Sequence, residues 1–212
     1  MTFSSHSHPQ KPPLLPLFLF TLAYMILSIG VALWNGNGEF VFYIVVMLVL
    51  IGAVALVHSR VTLTSGLLWA LTFWGLLHMA GGLVPVPQNW PYDGENAVLY
   101  SLWIIPQRLK YDQIVHAYGF GLTTMVCWHV LRETLRDLIG QKPVPTFGLL
   151  VLCMAAGMGF GAFNEVVEFI ATLTMPSTNV GGYENTGWDL VANLIGTMVA
   201  AFLIKLRYKP VF

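Results

Sequence analysis

Six long apolar runs dominate this sequence and restrict the folds that it can adopt. The runs cover residues 14–34, 40–57, 63–84, 112–131, 147–174 and 188–204. A helix needs about 20 apolar residues to cross the hydrocarbon core of a bilayer. The runs lack the alternation of strands, and helices satisfy all of their own backbone groups in lipid. The sequence therefore predicts an all-α polytopic membrane protein, a bundle of about six transmembrane helices.

The composition also indicates a surface that faces lipid. Only 9% of the residues are charged and 56% are hydrophobic, whereas about 25% of the residues of a soluble domain are charged. The 10 basic and 10 acidic side chains balance, and we find no basic patch interleaved with aromatic residues, so no nucleic-acid partner is expected. Cys127 and Cys153 lie in apolar runs without metal-binding spacing, which indicates packing residues.

The two ends of the chain differ from its apolar centre. Residues 1–13 are polar and rich in proline and predict a flexible cytoplasmic tail. Residues 14–205 predict a single six-helix domain, and residues 206–212 predict a second short cytoplasmic tail. In the long connection after the third run, residues 97–105 predict a short interfacial helix that ends before Pro106.

Basic residues predict the orientation of the bundle. Those on the side of the two termini are Lys11, Arg60, Arg132, Arg136, Lys142, Lys205, Arg207 and Lys209, and the other side has Arg108 and Lys110. Because basic connections stay in the cytoplasm, we expect both termini there. The connections 85–112 and 176–187 are then expected to face outward.

Paired polar side chains occur near the outer ends of the last three spans. The pairs are Asp112 with His116, Glu165 with Glu168, and Asp189 with Asn193. Residues three or four apart share a helix face. His78 lies near the outer end of the third span. Because neighbouring antiparallel helices pack side by side, we expect the pairs to face one another around a polar pocket.

Close carboxylates in this setting need compensation. A charged side chain at the bilayer centre costs about 2.5–3.5 kcal/mol on insertion scales, and neighbouring carboxylates also repel one another. This compensation could come from protonation, from the nearby Arg108 and Lys110, or from a bound cation. Asp, Glu, Asn and His suit Mg, Mn, Fe or Zn. The predicted ligands of a divalent metal ion are Asp112, His116, Glu165, Glu168 and Asp189.

Simpler roles stay open for several of these residues. Asp112 and Asp189 could act only as caps, because carboxylates favour helix N-termini. His78, His116 and Asn193 could simply form hydrogen bonds between helices. Glu165 and Glu168 fit neither role, because they lie late in a helix, where the helix dipole disfavours anions.

The order of the polar segments resembles a known family. The segments YDQIVHAYGFG, NEVVEF and WDLVANLIG follow one another across the last three spans. This order is similar to the YjdF-like family of small bacterial inner-membrane proteins and, more distantly, to VanZ-like proteins. HMAGG, residues 78–82, fits the YjdF-like family as well, and the resemblance covers residues 76–196. It implies a multi-pass protein of the bacterial inner (plasma) membrane.

The resemblance also bears on residues and ligands. The residues that match the polar pattern of the family are Asp112, His116, Glu165, Glu168, Asp189, Asn193 and Gly196. This sequence differs from the YjdF-like pattern at one point. The pattern has a second acidic residue near Asp189, and in the segment ENTGWDL that residue is Glu184. VanZ-like proteins are linked to resistance against lipid-bearing glycopeptide antibiotics, which implies an envelope setting and a lipid ligand.

The first functional hypothesis is a metal-dependent hydrolase or transferase that modifies a lipid-linked or envelope substrate. The ion would polarise a phosphate or activate water. Glu165 and Glu168 are the predicted catalytic residues, one of them as base. His78, Arg108 and Asn193 are the predicted substrate-binding residues.

Two alternatives stay open beside the enzyme. A proton-coupled transporter could relay protons through the carboxylates and His116. A non-catalytic protein could hold a lipid headgroup or a partner helix, with Arg108 and Lys110 at the phosphate. In each case membrane lipids are the expected surroundings.

Overall fold

A computed structural model describes residues 14–208 of the chain and contains six long helices. They are α1 (Leu14–Trp34), α2 (Gly38–Arg60), α3 (Ser65–Leu83), α4 (Tyr111–Ile139), α5 (Phe147–Thr174) and α6 (Tyr183–Arg207). The tail predicted at residues 1–13 lies outside the described residues, as do Lys209 and the three residues after it. All six helices are long and apolar enough to cross a membrane. The prediction of an all-α polytopic bundle is confirmed.

Short polar residues set the starts of three helices. The side chains of Asn37, Thr64 and Thr146 each accept a hydrogen bond from a backbone N–H in the first turn of α2, α3 and α5. These bonds satisfy N–H groups that have no partner within the helix. At the other end of α4, Gly140 takes a left-handed conformation with φ of 72° and ends the helix.

Three helices extend beyond the apolar runs that predicted them, and α2 does so by only two or three residues at each end. α4 continues past residue 131 to Ile139, and α6 begins at Tyr183 and ends at Arg207. In the extra turns of α4, Arg136 pairs with Glu133 at a spacing of three residues, which supports a helix in water. Hydropathy alone cannot predict these polar turns.

The predicted interfacial helix at residues 97–105 is wrong. In its place the structure has a single 3-10 turn, η1 (Leu99–Ser101), and an antiparallel pair of short strands, β1 (Trp103–Ile105) and β2 (Leu109–Lys110). The β-branched residues Ile104 and Ile105 favour extended backbone, and Pro106 ends the strand. The turn then places Gln107 at a positive φ of 58°.

The helices alternate in direction, so the bundle has two different ends. We call the end that contains the connections 84–110 and 175–182 the loop end, and the opposite one the terminal end. Six of the predicted cytoplasmic basic residues lie at the terminal end: Arg60, Arg132, Arg136, Lys142, Lys205 and Arg207. That this end faces the cytoplasm stays a prediction.

α4 packs against α3, α5 and α6 and lies at the centre of the fold. Its contact with α6 is close enough for the two backbones to touch. A Cβ atom on Gly196 would lie only 1.9 Å from the carbonyl oxygen of Ala117. Only glycine permits this approach, and it brings the polar starts of α4 and α6 together.

Candidate functional site

The three polar pairs of the sequence meet at the loop end. α4 and α6 begin there and α5 ends there, so the antiparallel directions bring all three pairs to one depth. We call Asp112, His116, Glu165, Glu168 and Asp189 the acidic cluster. Asn193 contacts the cluster, whereas His78 and Arg108 lie outside it, on the wall of an adjoining cavity.

His116 is the centre of the cluster. Its Nε2 atom lies 3.6 Å from Asp112 Oδ1 and 3.8 Å from Glu168 Oε1, and its Nδ1 atom lies 3.7 Å from Glu165 Oε1. These separations exceed those of hydrogen bonds between nitrogen and oxygen. His116 therefore has three carboxylates within 4 Å of its ring nitrogens without a direct hydrogen bond to any of them.

Among the described residues, Asn193 is the side chain that forms a hydrogen bond with the His116 ring. Its Oδ1 atom lies 3.2 Å from His116 Nδ1, and both residues are buried. The amide fits here because Gly161 of α5 has no side chain; a Cβ atom there would lie 2.6 Å from Asn193 Nδ2. An amide oxygen can only accept, so Nδ1 donates to it, and in a neutral ring the lone pair is then on Nε2.

Several enclosed polar atoms have no hydrogen-bond partner among the described residues. They include both carboxylate oxygens of Glu165 and Oδ1 of Asp189. The Glu165 side chain is only 10% exposed, and Asp189 is completely buried. A buried carboxylate without donors is costly, because burial removes water without supplying a replacement. This arrangement calls for a positively charged or hydrogen-donating partner.

Neither aspartate caps its helix. α4 begins with the Gln113 side chain accepting a hydrogen bond from the backbone N–H of Lys110, at 3.1 Å. Asp189 lies in the second turn of α6, beyond the N–H groups that need a cap. Capping as its sole role is therefore wrong for Asp189, whereas Asp112 lies in the first turn of α4, where the helix dipole favours an acidic side chain.

Asn185 is a cluster contact that the sequence analysis missed. Its Nδ2 atom donates to Asp189 Oδ2 at 2.7 Å and lies 3.5 Å from Asp112 Oδ2. Lys110 donates to its Oδ1 atom at 3.1 Å and also pairs with Asp93 at 3.0 Å. Among the described residues, Lys110 is thus linked to the cluster by hydrogen bonds through the Asn185 amide and forms no ion pair with its carboxylates. The signal was present, because Asn185, Asp189 and Asn193 are each four residues apart on α6.

The partner of His78 is a residue that the sequence analysis did not name. Its Nδ1 atom is hydrogen bonded to the hydroxyl of Tyr100, and Trp74 stacks on its ring. Burial, and then the nearby charges of Asp112 and Glu168, raise the pKa of Tyr100 well above its usual value. Tyr100 therefore stays neutral. It comes from the connection after α3, whose fold the sequence did not reveal.

A large polar cavity opens over the cluster at the loop end. Its volume is about 1270 Å³, and Asp112 and Glu168 of the cluster lie in its wall. Glu168 also accepts a hydrogen bond of 2.8 Å from Asn164. Glu184 is exposed and lines the same cavity, but it belongs to neither of the groups of potential metal ligands.

A comparison with known families covers nearly the whole chain. Residues 16–210 match the model of a family described as "Predicted membrane protein (DUF2238)". The chain belongs to the DUF2238 family. No curated protein and no solved structure matches it. DUF2238 membership supports a multi-pass membrane protein. The description of this family does not mention YjdF-like proteins, so that resemblance stays an expectation. The resemblance to VanZ-like proteins is not shown.

The matched region of this DUF2238 protein includes two overlapping groups of potential metal ligands. One consists of Asp112, His116 and Asp189, and the other of His116, Glu165 and Glu168; within each group the ligand atoms lie within 4.8 Å of one another. His116 is common to both. Each of the five residues predicted as metal ligands belongs to at least one of these groups, and that they hold an ion stays a prediction.

Proposed function

We propose that this protein binds a divalent metal ion in the acidic cluster and uses it on a phosphate-bearing lipid or envelope substrate that enters the polar cavity. The observation that carries the proposal is the carboxylate of Glu165. It is nine-tenths buried, has no hydrogen-bond donor among the described residues, and points at His116.

Charge balance supports a cation. Four carboxylates surround one imidazole, and the nearest lysine, Lys110, pairs with Asp93 instead. Two unit charges 4 Å apart interact by about 4 kcal/mol at an effective dielectric constant of 20. Several such repulsions act at once, so the cluster needs added positive charge. A divalent ion supplies it at a single point.

The spacing of the ligand atoms also suits an ion. Two ligands about 2.1 Å from a common metal at a tetrahedral angle are about 3.4 Å apart. His116 Nε2 lies 3.6 Å from Asp112 and 3.8 Å from Glu168, and its other nitrogen faces Asn193 and lies 3.7 Å from Glu165. A second partner that fixes the tautomer is typical of metal-binding histidines. This mixed ligand set suits Mg, Mn, Fe or Zn.

The cavity supports a substrate role for the same site. Asp112 and Glu168 lie in its wall, so a substrate in the cavity would contact Glu168, to which we assign the role of base. Glu165 is not in the cavity wall, and we assign it the role of a ligand of the ion. Arg108 and Lys110 lie in the cavity wall as well and could contact phosphate. When bound, the ion would polarise the phosphate or activate water. Hydrolase and transferase chemistry both fit this arrangement.

Metal analysis of the purified full-length protein tests the proposal. After removal of metal with a chelator and reloading with Mg, Mn, Fe or Zn, elemental analysis should find a stoichiometric ion. H116Q and E165Q should abolish it, because each removes a ligand. The matched controls H129Q and E184Q change a histidine and a glutamate outside the cluster and should leave it intact.

Two results would contradict the metal site. One is a wild-type protein that holds no stoichiometric ion under any of the four loading conditions. The other is uptake of a solute into metal-free liposomes that depends on Glu165, which would favour a transporter instead.

A further inference from the structure

A second, apolar groove runs along the outside of the bundle between α4 and α6. Its volume is about 550 Å³, and nearly all of the residues that line it are apolar. Tyr118 lines it too, but its hydroxyl donates to the carbonyl oxygen of Ala70. The groove follows α4 from Gln113 to Met125, which is about 18 Å at 1.5 Å per residue. One leaflet of the hydrocarbon core is about 15 Å thick.

Polar residues lie at only one end of this groove. Arg108 and Gln113 lie there, with the exposed ring of Trp188 beside them. The side-chain oxygen of Gln113 accepts a hydrogen bond from the backbone N–H of Lys110. The Arg108 side chain is exposed and has no ion pair or hydrogen bond within residues 14–208. Tryptophan and arginine are typical of the depth of lipid headgroups.

The same three residues, Arg108, Gln113 and Trp188, also line the polar cavity. The groove and the cavity therefore adjoin at this point. A molecule with an apolar chain in the groove would place its polar end beside Arg108 and at the mouth of the cavity over the acidic cluster. Arg108 supplies a positive charge at this junction and is therefore a favoured place for a phosphate.

We propose that the groove binds one acyl chain of a glycerophospholipid, with the lipid phosphate at Arg108 and the headgroup directed into the polar cavity. The inference names the substrate class of the proposed function and rests on it for the use of the cavity. The groove length matches a chain within one leaflet, and the positive charge at its polar end matches the phosphodiester.

Photo-crosslinking of the full-length protein in phosphatidylcholine nanodiscs tests this proposal. The probe is a phosphatidylglycerol with a diazirine on one acyl chain. We expect most of the label on peptides from α4 and α6. R108Q should lower labelling about fivefold, as expected for the loss of one interfacial cation, whereas R60Q at the opposite end should not. A diacylglycerol with the same diazirine should label weakly and should not respond to R108Q.

Filling the groove gives a second, independent variant. I195W enlarges an exposed residue of the groove wall, and I26W makes the same change on the exposed face of α1. We expect I195W to reduce labelling and I26W to leave it unchanged, with both proteins eluting as the wild type in size-exclusion chromatography.

Three outcomes would overturn the groove proposal. They are even labelling of all six helices, labelling that neither R108Q nor I195W reduces, and a disulfide-linked dimer formed through I195C, which would place a second copy of the chain in the groove. E165Q should lose the metal and keep the groove labelling. Groove labelling of a wild-type protein that takes up no stoichiometric metal would contradict the proposed function alone, and a stoichiometric metal without groove labelling would contradict this inference alone.

Discussion

His116 has different surroundings at its two ring nitrogens. Nδ1 faces the amide oxygen of Asn193 at 3.2 Å, whereas Nε2 faces two carboxylates at separations too long for hydrogen bonds. The amide fixes which nitrogen keeps its lone pair. The metal proposal therefore depends on a neutral residue, Asn193, as well as on the acidic ones. This dependence can be measured.

Replacement of Asn193 by alanine should weaken metal binding. The N193A variant loses the acceptor that orients His116, and loss of such a partner typically lowers metal affinity about 10–100-fold. Calorimetric titration of the chelator-treated protein with Zn or Mn measures the change. N193D keeps an oxygen acceptor and should recover much of the affinity. N35A, in the turn between α1 and α2, is the control and should bind like the wild type.

Equal affinity in N193A and the wild type would mean that His116 does not need this orientation. A loss that N193D fails to restore would indicate a packing role for the amide instead. The orientation hypothesis holds only with both the loss and the recovery.

Residue spacing predicted the members of the acidic cluster but not its supporting side chains. Pairs such as Asp112 with His116 lie on single helices, so helical geometry places them on one face. Tyr100 comes from an irregular connection whose path depends on tertiary contacts. Its approach to His78 could not be read from the sequence.

At the scale of whole elements, the contact between α4 and α6 positions the site. The backbone of α6 at Gly196 lies against that of α4 at Ala117 and Gly121, with no side chain between them. In lipid, such close contacts supply the packing energy that holds helices together. The register of this contact decides whether Asp112 and Asp189 reach the same ion.

Replacement of Gly196 by alanine should destabilise the bundle. The added Cβ atom would overlap the carbonyl of Ala117, and overpacking of this kind costs about 1–3 kcal/mol. For a chain of this size, each kcal/mol lowers the melting temperature by about 2–4 °C. Thermal unfolding in detergent, followed by circular dichroism, measures the shift.

Gly159 of α5 provides the matched control, because a Cβ atom there would meet nothing within 4 Å. G159A should leave the melting temperature unchanged or raise it slightly, since alanine favours helix. Equal effects of the two variants would show that the close α4–α6 contact contributes nothing to stability.

The helices were predictable because each apolar run must match the thickness of the membrane. The elements outside that constraint were not. The last turns of α4 are polar and continue because Glu133 and Arg136 pair along the helix. The strands β1 and β2 are too short for a periodic signal, and their backbone pairing depends on the turn at Gln107.

Over the whole molecule, charge is divided between the two ends. Six basic residues lie at the terminal end, and the acidic cluster and its cavity lie at the loop end. Basic connections resist transfer across the membrane, whereas acidic ones have little influence on topology. The distribution therefore favours cytoplasmic termini and a site that opens outward, as an envelope substrate would require.

Labelling of single cysteines tests this orientation. In a background with Cys127 and Cys153 replaced by serine, E95C places a thiol in the connection that carries Tyr100, and K142C places one between α4 and α5. In intact bacterial cells, a membrane-impermeant maleimide should label E95C and should leave K142C unlabelled, because only the loop end is exposed. Lysis should make K142C reactive, which shows that its thiol is accessible in water. Labelling of K142C alone in intact cells would invert the orientation and place the acidic cluster on the cytoplasmic side, where no envelope substrate could reach it.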